Sequence, residues 1–373
     1  MAVGAHAARV VPVAGLTPLR GSFGLALSSD RSIAAQLTLT RKGRDGDAIL
    51  ATAGTARRWY LAAGETVRTF HESVAILNPD RTRPAQVRLQ LLPSGGGRSR
   101  TVTLRVRPHA QLVEDINPLL PGQSLSIIAA ANRPVVLERR LTFSRDGHGH
   151  DYGLTTRLGT TTSAHLWLLA PGTPLPHGQT SLTLLNPTTR TAHVTVRFYG
   201  RSGRLVGSRT MRLNGPGRAQ IALTSVGPTR GAAGVVTSDQ PIVVERAEYG
   251  GAPNGPRTAG SDVFGRNGPA ARWSFPGGDT RRGQREVLLL DNPSAATVRV
   301  VATLYGSGGR TVQQRVTLPP YGQAALNVGR SFPGATGVHG VRVTSANGDG
   351  FLAEKTVFAA SGSTLQRTQG LAQ

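Results

Sequence analysis

The most reactive-looking stretch of this chain is Arg145-Asp146-Gly147-His148-Gly149-His150-Asp151. Two imidazoles and two carboxylates this close could ligate a borderline metal, with His148, His150 and Asp151 as the donors. The glycines around them point to a connection rather than a built site. One module later the same place reads Gly250-Gly251-Ala252-Pro253-Asn254-Gly255, with no donors. The patch is therefore read as solvated loop, and no metal or cofactor is expected. A second set of carboxylates recurs: Glu138, Glu245 and Glu354 are each followed by a base, Arg139, Arg246 and Lys355. Glycoside hydrolysis needs two carboxyls facing each other, and each copy offers one. These glutamates are expected to form structural ion pairs or to cap backbone N–H groups. The glycine turns at 94–97, 200–203 and 306–309 lack the lysine and following helix of a phosphate loop. They read as hairpin turns. No Gly-x-Ser-x-Gly elbow is present, and the chain contains no cysteine, which removes thiol nucleophiles, thiolate metal sites and disulfides. No catalytic residue is assigned, and the chain is not read as an enzyme.

The elements that carry these residues repeat. Trp59, Trp167 and Trp273 are 108 and 106 residues apart, as are Asn78-Pro79, Asn186-Pro187 and Asn292-Pro293. The glutamate–base pairs keep the same beat, at 107 and 109. A fixed period of this kind is the signature of an array. It divides the chain into modules at 53–158, 159–265 and 266–373. Residues 1–52 match only the back half of a module: Asp30-Arg31-Ser32-Ile33-Ala34-Ala35-Gln36 aligns with Asp239-Gln240-Pro241-Ile242-Val243-Val244-Glu245. A half sandwich leaves an apolar face and strand edges open. Either more module sequence precedes residue 1 in the native chain, or the missing strands come from another molecule by strand exchange, which would make a head-to-tail filament.

Within a module, period-two alternation dominates. Val194-Thr195-Val196-Arg197-Phe198 is a half-buried strand with its apolar residues inward. A glycine turn follows, then Leu205 to Leu213 as its hairpin partner. Gly234 to Val236 and Pro241 to Arg246 read as two further strands, separated by Ser238-Asp239-Gln240. Val113 to Ile116 reads as one helical turn, and Val10 to Ala14 as a strand. About seven short strands per module, with turn signals between them, specify an all-β chain of tandem immunoglobulin-like antiparallel β-sandwiches. Short linkers suggest a semi-rigid rod. At one position per module, the tryptophans are expected to plug cores or pin modules together.

The charge is one-sided: 43 Lys and Arg oppose 20 Asp and Glu, for a net +23, and all the bases except Lys42 and Lys355 are arginine. Arginine forks suit carboxylate, phosphate and sulfate oxygens, so an anionic polysaccharide or wall polymer is an expected partner. Aromatic residues make up 5% of the chain, too few for a stacking platform, and no specific nucleic-acid partner is expected. No run approaches a membrane helix, and Met1 to Leu16 does not read as a signal peptide, its apolar run being short and broken by proline.

The stretch Trp59-Tyr60-Leu61-Ala62-Ala63-Gly64, the Asn78-Pro79 strand end, and Ser238-Asp239-Gln240-Pro241-Ile242-Val243-Val244-Glu245-Arg246 together resemble a repeat family. It is a tandem β-sandwich family of unknown function, from secreted and cell-surface proteins of actinobacteria and Chloroflexi. Leu166-Trp167-Leu168-Leu169-Ala170-Pro171 and Gln36 depart from its pattern. The resemblance implies an extracellular, cell-surface setting and carries over no catalytic residue. The expected function is that of a non-catalytic structural or adhesive repeat, with itself or other surface proteins as partners. A filament subunit and a binding module for an anionic glycan are the alternatives.

Overall fold

The computed structural model describes residues 2–13, 21–41, 45–144, 151–172, 178–227, 231–251, 257–280, 284–306, 309–334, 337–358 and 365–373. A hairpin of β1 (Gln36–Arg41) and β2 (Asp45–Leu50) comes first. The first full module holds β3 (Ala56–Glu65), β4 (Phe70–Asn78), β5 (Ala85–Pro93), β6 (Arg100–Val106), β7 (Ala110–Asp115), β8 (Ser124–Ser144) and β9 (Asp151–Leu158). The second holds β10 (Ala164–Leu169), β11 (Gln179–Asn186), β12 (Ala192–Tyr199), β13 (Leu205–Leu213), β14 (Gly217–Ala222), β15 (Ala233–Gly251) and β16 (Arg257–Phe264). The third holds β17 (Arg272–Asp279), β18 (Arg285–Asp291), β19 (Val298–Gly306), β20 (Thr311–Leu318), β21 (Gln323–Asn327), β22 (Val338–Ser345), β23 (Leu352–Phe358), β24 (Leu365–Gln369) and β25 (Leu371–Ala372). The chain is all-β, and its modules are antiparallel sandwiches in tandem.

Each sandwich has the same topology. In the first module one sheet runs β6-β5-β8-β3 and the other β7-β4-β8-β9. β8 belongs to both: residues 125–131 pair with β5 and residues 136–143 with β4. β15 does the same in the second module. Where two strands separated by Ser238-Asp239-Gln240 were expected, there is one strand that changes sheets. Proline is compatible with extended backbone, so Pro241 does not end it. A repeated device marks the crossing. The side chains of Asn132, Asp239 and Asn347 accept the backbone N–H of Gln86, His193 and Arg299 at 2.8, 2.7 and 3.0 Å. In the third module alone the crossing strand is divided, into β22 and β23.

Alternation sets the core. Val194, Val196 and Phe198 point inward and are fully buried, each contributing about 2 kcal/mol by burial. The three indoles lie in matching sites. Trp59, Trp167 and Trp273 are 3%, 1% and 1% exposed, and their Nε1–H groups donate to Val135 O, Ile242 O and Phe351 O at 3.0, 2.8 and 2.9 Å. Each acceptor stands three residues before the recurring glutamate. The recurring asparagines tie the turns. Asn78, Asn186 and Asn292 are fully buried, donate to carbonyls across the turn (Leu213 O at 3.0 Å for Asn186), and accept the N–H two residues on.

The modules form a ring, not a rod. β2 packs against β9, β9 against β16, β16 against β24, and β24 against β2. One late strand from each module, β9, β16 and β24, and β2 of the half module thus surround one axis. The linkers turn back because each chain exit is bound to its own entry strand. Thr160 exchanges hydrogen bonds with Tyr60, Arg266 does so with Leu168, and Leu371 pairs with Ser274. The apolar core is continuous between the first two modules, and Leu168 and Ala170 of the second pack into the core of the third. Phe70, Phe143 and Tyr249 close one end of the first interface, with centroids 5.2–5.6 Å apart.

The half module occupies the fourth place. Its hairpin buries Asp47, Ala48 and Ile49 between β9 and β24, so the seat that strand exchange would require is filled within the chain. Val3, Val10, Leu25, Leu27 and Ile33 remain exposed. Two local expectations are corrected. Val10 to Val13 are not in a strand. Val113 to Asp115 are in β7 because they pair with β4, and the turn begins only where Ile116 N–H donates to Glu72 O at 2.9 Å.

Candidate functional site

The recurring glutamate and base lie on the second half of each sheet-changing strand. Being neighbours on an extended chain, they point to opposite faces and cannot pair with each other. Glu245 and Glu354 instead reach the preceding module. Glu245 accepts the N–H groups of Ala62 and Ala63 at 2.9 and 2.7 Å and a bond from Arg139 Nη2 at 2.5 Å. Glu354 accepts from Arg246 Nη2 at 2.7 Å and pairs with Arg367 Nε at 2.8 Å. The expected ion pairs and backbone caps are therefore clamps between modules. Gln36 stands in the same register, and a β-carbon on Gly277 would come 2.8 Å from its Nε2. Glu138, whose counterpart module is the incomplete one, is half-buried and accepts from Thr156 Oγ1 at 2.8 Å.

The axial strands extend this network. Asp262 on β16 pairs with Arg139 and with Arg157 Nε, the latter at 3.6 Å. Burial alone would raise the Asp262 carboxyl, but the two guanidinium groups overcome it and hold it below the usual range. Glu248 pairs with Arg246 at 3.3 Å and with Arg367 at 2.7 Å. In the third module Glu286 faces His339 at 3.1 Å and Lys355 at 3.7 Å. Burial opposes its ionisation, yet the Lys355 ammonium and the hydrogen bond with His339 bring it down to about 2. Other carboxyls lack such company. Asp47 accepts Thr156 N–H at 2.7 Å, and burial pushes it up to about 8 despite Arg157 nearby. Burial likewise raises Glu72 to about 7 and Asp291 to about 8. Buried pairs of this kind fix register more than they add stability.

The outer sheet faces carry the opposite chemistry. On the third module the register aligns Arg272, Thr344, Val301 and Arg315 in one row, with Arg342, Thr303 and Gln313 in the next. Arg299 stands one row to the other side. Arg272, Arg299 and Arg315 are exposed. Arg342 is half-buried, its guanidinium 5.6 Å from the Tyr305 ring centre, and its Nε has no hydrogen-bond partner among the described residues. The matching faces carry Arg58, Arg88 and Arg105 in the first module, and Arg197 and Arg212 in the second.

His148 and His150 lie outside the described residues, and Asp151 begins β9 with its side chain also outside them. Among the described residues no group of three or more His, Asp or Glu is placed to hold a metal. Among the described residues no helix is long and apolar enough to cross a membrane. Sequence reasoning missed one recurrent residue. Gly159, Gly265 and Gly370 carry the last strand past the tryptophan, and a β-carbon there would lie 3.2, 3.1 and 3.1 Å from the indole. Their spacing of 106 and 105 was the available signal.

Residues 267–349, most of the third module, match the family of unknown function DUF5719. The chain is similar to protein 1070 of Thermotoga maritima (24% identity, TM-score 0.26, covering 29% of this chain and 96% of that one). It is also similar to the Anabaena sensory rhodopsin transducer (21% identity, TM-score 0.20, 23% and 96%). A third similarity is to a tetra-tandem repeat from the extending region of a large adhesion protein (12% identity, TM-score 0.13, 91% and 80%). No curated protein matches the chain. The family match falls within one of the three copies, and like the family that the sequence motifs resemble, its function is unknown.

Proposed function

We propose that the protein is a non-catalytic, extracellular scaffold of a bacterial cell surface that adheres to an anionic polysaccharide through the arginine-bearing outer faces of its modules. One observation carries this reading: the separation of charge between inside and outside. Among the described residues eight carboxyl groups are buried, of which burial raises Asp47, Glu72 and Asp291 to about 8, 7 and 8, so the interior's ionised acids and its six lysines and arginines come close to balance. The basic excess of the described residues is thus carried outside the core, including the sheet faces where arginine forks alternate with threonine and glutamine. A surface of one sign raises the local concentration of opposite charge and speeds its capture. The buried clamps serve the same end by holding the faces in fixed relation.

The test is retention of the purified protein on immobilised anionic cell-wall polysaccharide across a salt series. Binding in low salt that is lost as the Debye length shrinks supports the reading. No retention at low salt overturns it. Size-exclusion chromatography of the same preparation should give a compact monomer.

A further inference from the structure

The three outer faces differ, and the third is built for two acidic groups at once. This step rests on the anionic-polysaccharide reading above. Neighbouring strands are about 4.8 Å apart, and same-face neighbours along a strand about 6.7 Å. Arg272 and Arg342 sit on paired strands one row apart, so their α-carbons are about 8 Å apart. Arg299 and Arg315 have the same relation on β19 and β20. The two pairs are centred about 12 Å from each other. Between them lie Val301, Thr303 and Thr344, a small floor bearing hydroxyls and no charge. None of the four arginines forms an ion pair among the described residues. The second module's face is weaker, because His193 on it is already paired with Asp239 at 2.7 Å.

Arg342 gives the clearest sign of a ligand. Its Nε is buried without a partner, and its guanidinium is held against Tyr305, which is in turn stacked on His6 at 5.7 Å. A fork held in place loses less freedom when it binds an oxyanion. We infer that the outer face of β17, β22, β19 and β20 is a polysaccharide-binding site. Arg272 with Arg342, and Arg299 with Arg315, each grip one carboxylate or sulfate of the chain. Two grips separated by a neutral, hydroxyl-bearing floor suit a polysaccharide whose acidic groups fall on alternate sugars. A polymer charged at every unit would set surplus charge over Val301.

The experiment compares the intact protein with two double variants, R272Q/R342Q and R299Q/R315Q. The control is R81Q/R83Q, which removes equal charge from the exposed loop before β5. Binding is measured at fixed salt to hyaluronan oligosaccharides, with one carboxylate per disaccharide, and to polygalacturonate, with one on every sugar. The site predicts at least tenfold weaker hyaluronan binding for either face variant, less than twofold for the control, and tighter binding of hyaluronan than of polygalacturonate by the parent. Equal losses in face and control variants would overturn the site and leave the general reading standing. A parent protein that binds neither polymer overturns both. Unchanged melting temperatures for the variants, whose substituted side chains lie on the outer surface, confirm that folding is not the cause.

Discussion

Asp291 occupies the place of Leu77 and Leu185 in the other copies, yet it is buried beside Gln323, whose Nε2 donates to Tyr199 O of the second module at 3.0 Å. Burial lifts its carboxyl from the ordinary 3.8 to about 8. Above pH 4 the unfolded chain has released this proton and the folded chain retains it. Stability therefore falls as the pH climbs towards 8. D291N should flatten that decline, its advantage over the parent growing by about 4 kcal/mol between pH 5 and pH 8.5, read by denaturant titration at the two pH values. Parallel pH profiles for parent and variant would refute the assignment. Asp262 has the opposite sign, with its carboxyl held down by Arg139 and Arg157. D262N leaves two buried cations short of a partner and should cost about 3–5 kcal/mol, a loss that thermal melting will register as a lower midpoint. The recurring glutamates were legible as ion-pairing residues because of the base beside them. Their true partners were not, because nothing in a one-dimensional pattern says that Glu245 faces Arg139 rather than Arg246.

At the scale of strands and turns, alternation and punctuation were enough. Val194 to Phe198, its hairpin partner, and the Asn-Pro strand ends were all readable, because each follows from local chemistry that the repeat states three times. The continuous course of β15 was not, because a polar Ser-Asp-Gln stretch reads as a turn unless Asp239 is known to accept the N–H of a neighbouring strand. The glycine that passes each indole was overlooked for a similar reason: one more glycine among 47 carries little signal. G265A would place a methyl 3.1 Å from the Trp167 ring and 3.2 Å from Leu168 O. It should cost about 1–3 kcal/mol, whereas G268A, with open space around it, should cost well under 1 kcal/mol. N186A strips a buried donor from the carbonyls of Arg190 and Leu213. It should destabilise by about 1–3 kcal/mol, with hydrogen exchange accelerated first in the turn after β11.

At the scale of the whole molecule the repeat count was plain from the sequence and the closure was not. Three modules and a half invite a picture of beads on a line. The ring depends on contacts between strands more than 100 residues apart, such as Arg157 Nη2 with Arg367 O at 3.2 Å, and no local pattern announces those. Removing residues 1–52 should expose the axial faces of β9 and β24 and free the Thr156 amide from Asp47. The expected result is faster exchange at Thr156 and a concentration-dependent larger species on size exclusion. A truncated chain that stays monomeric with an unchanged melting point would show that the hairpin contributes nothing to closure.

The hairpin's place between β9 and β24 also has a consequence in time. β1 and β2 leave the ribosome more than 300 residues ahead of β24, so the keystone is made long before the second wall of its socket. Until that wall emerges, Ala48 and Ile49 have only one flank to rest on. The nascent protein must therefore carry its closing piece unsheltered while the modules in between are made, and the circle is completed only once β24 has emerged.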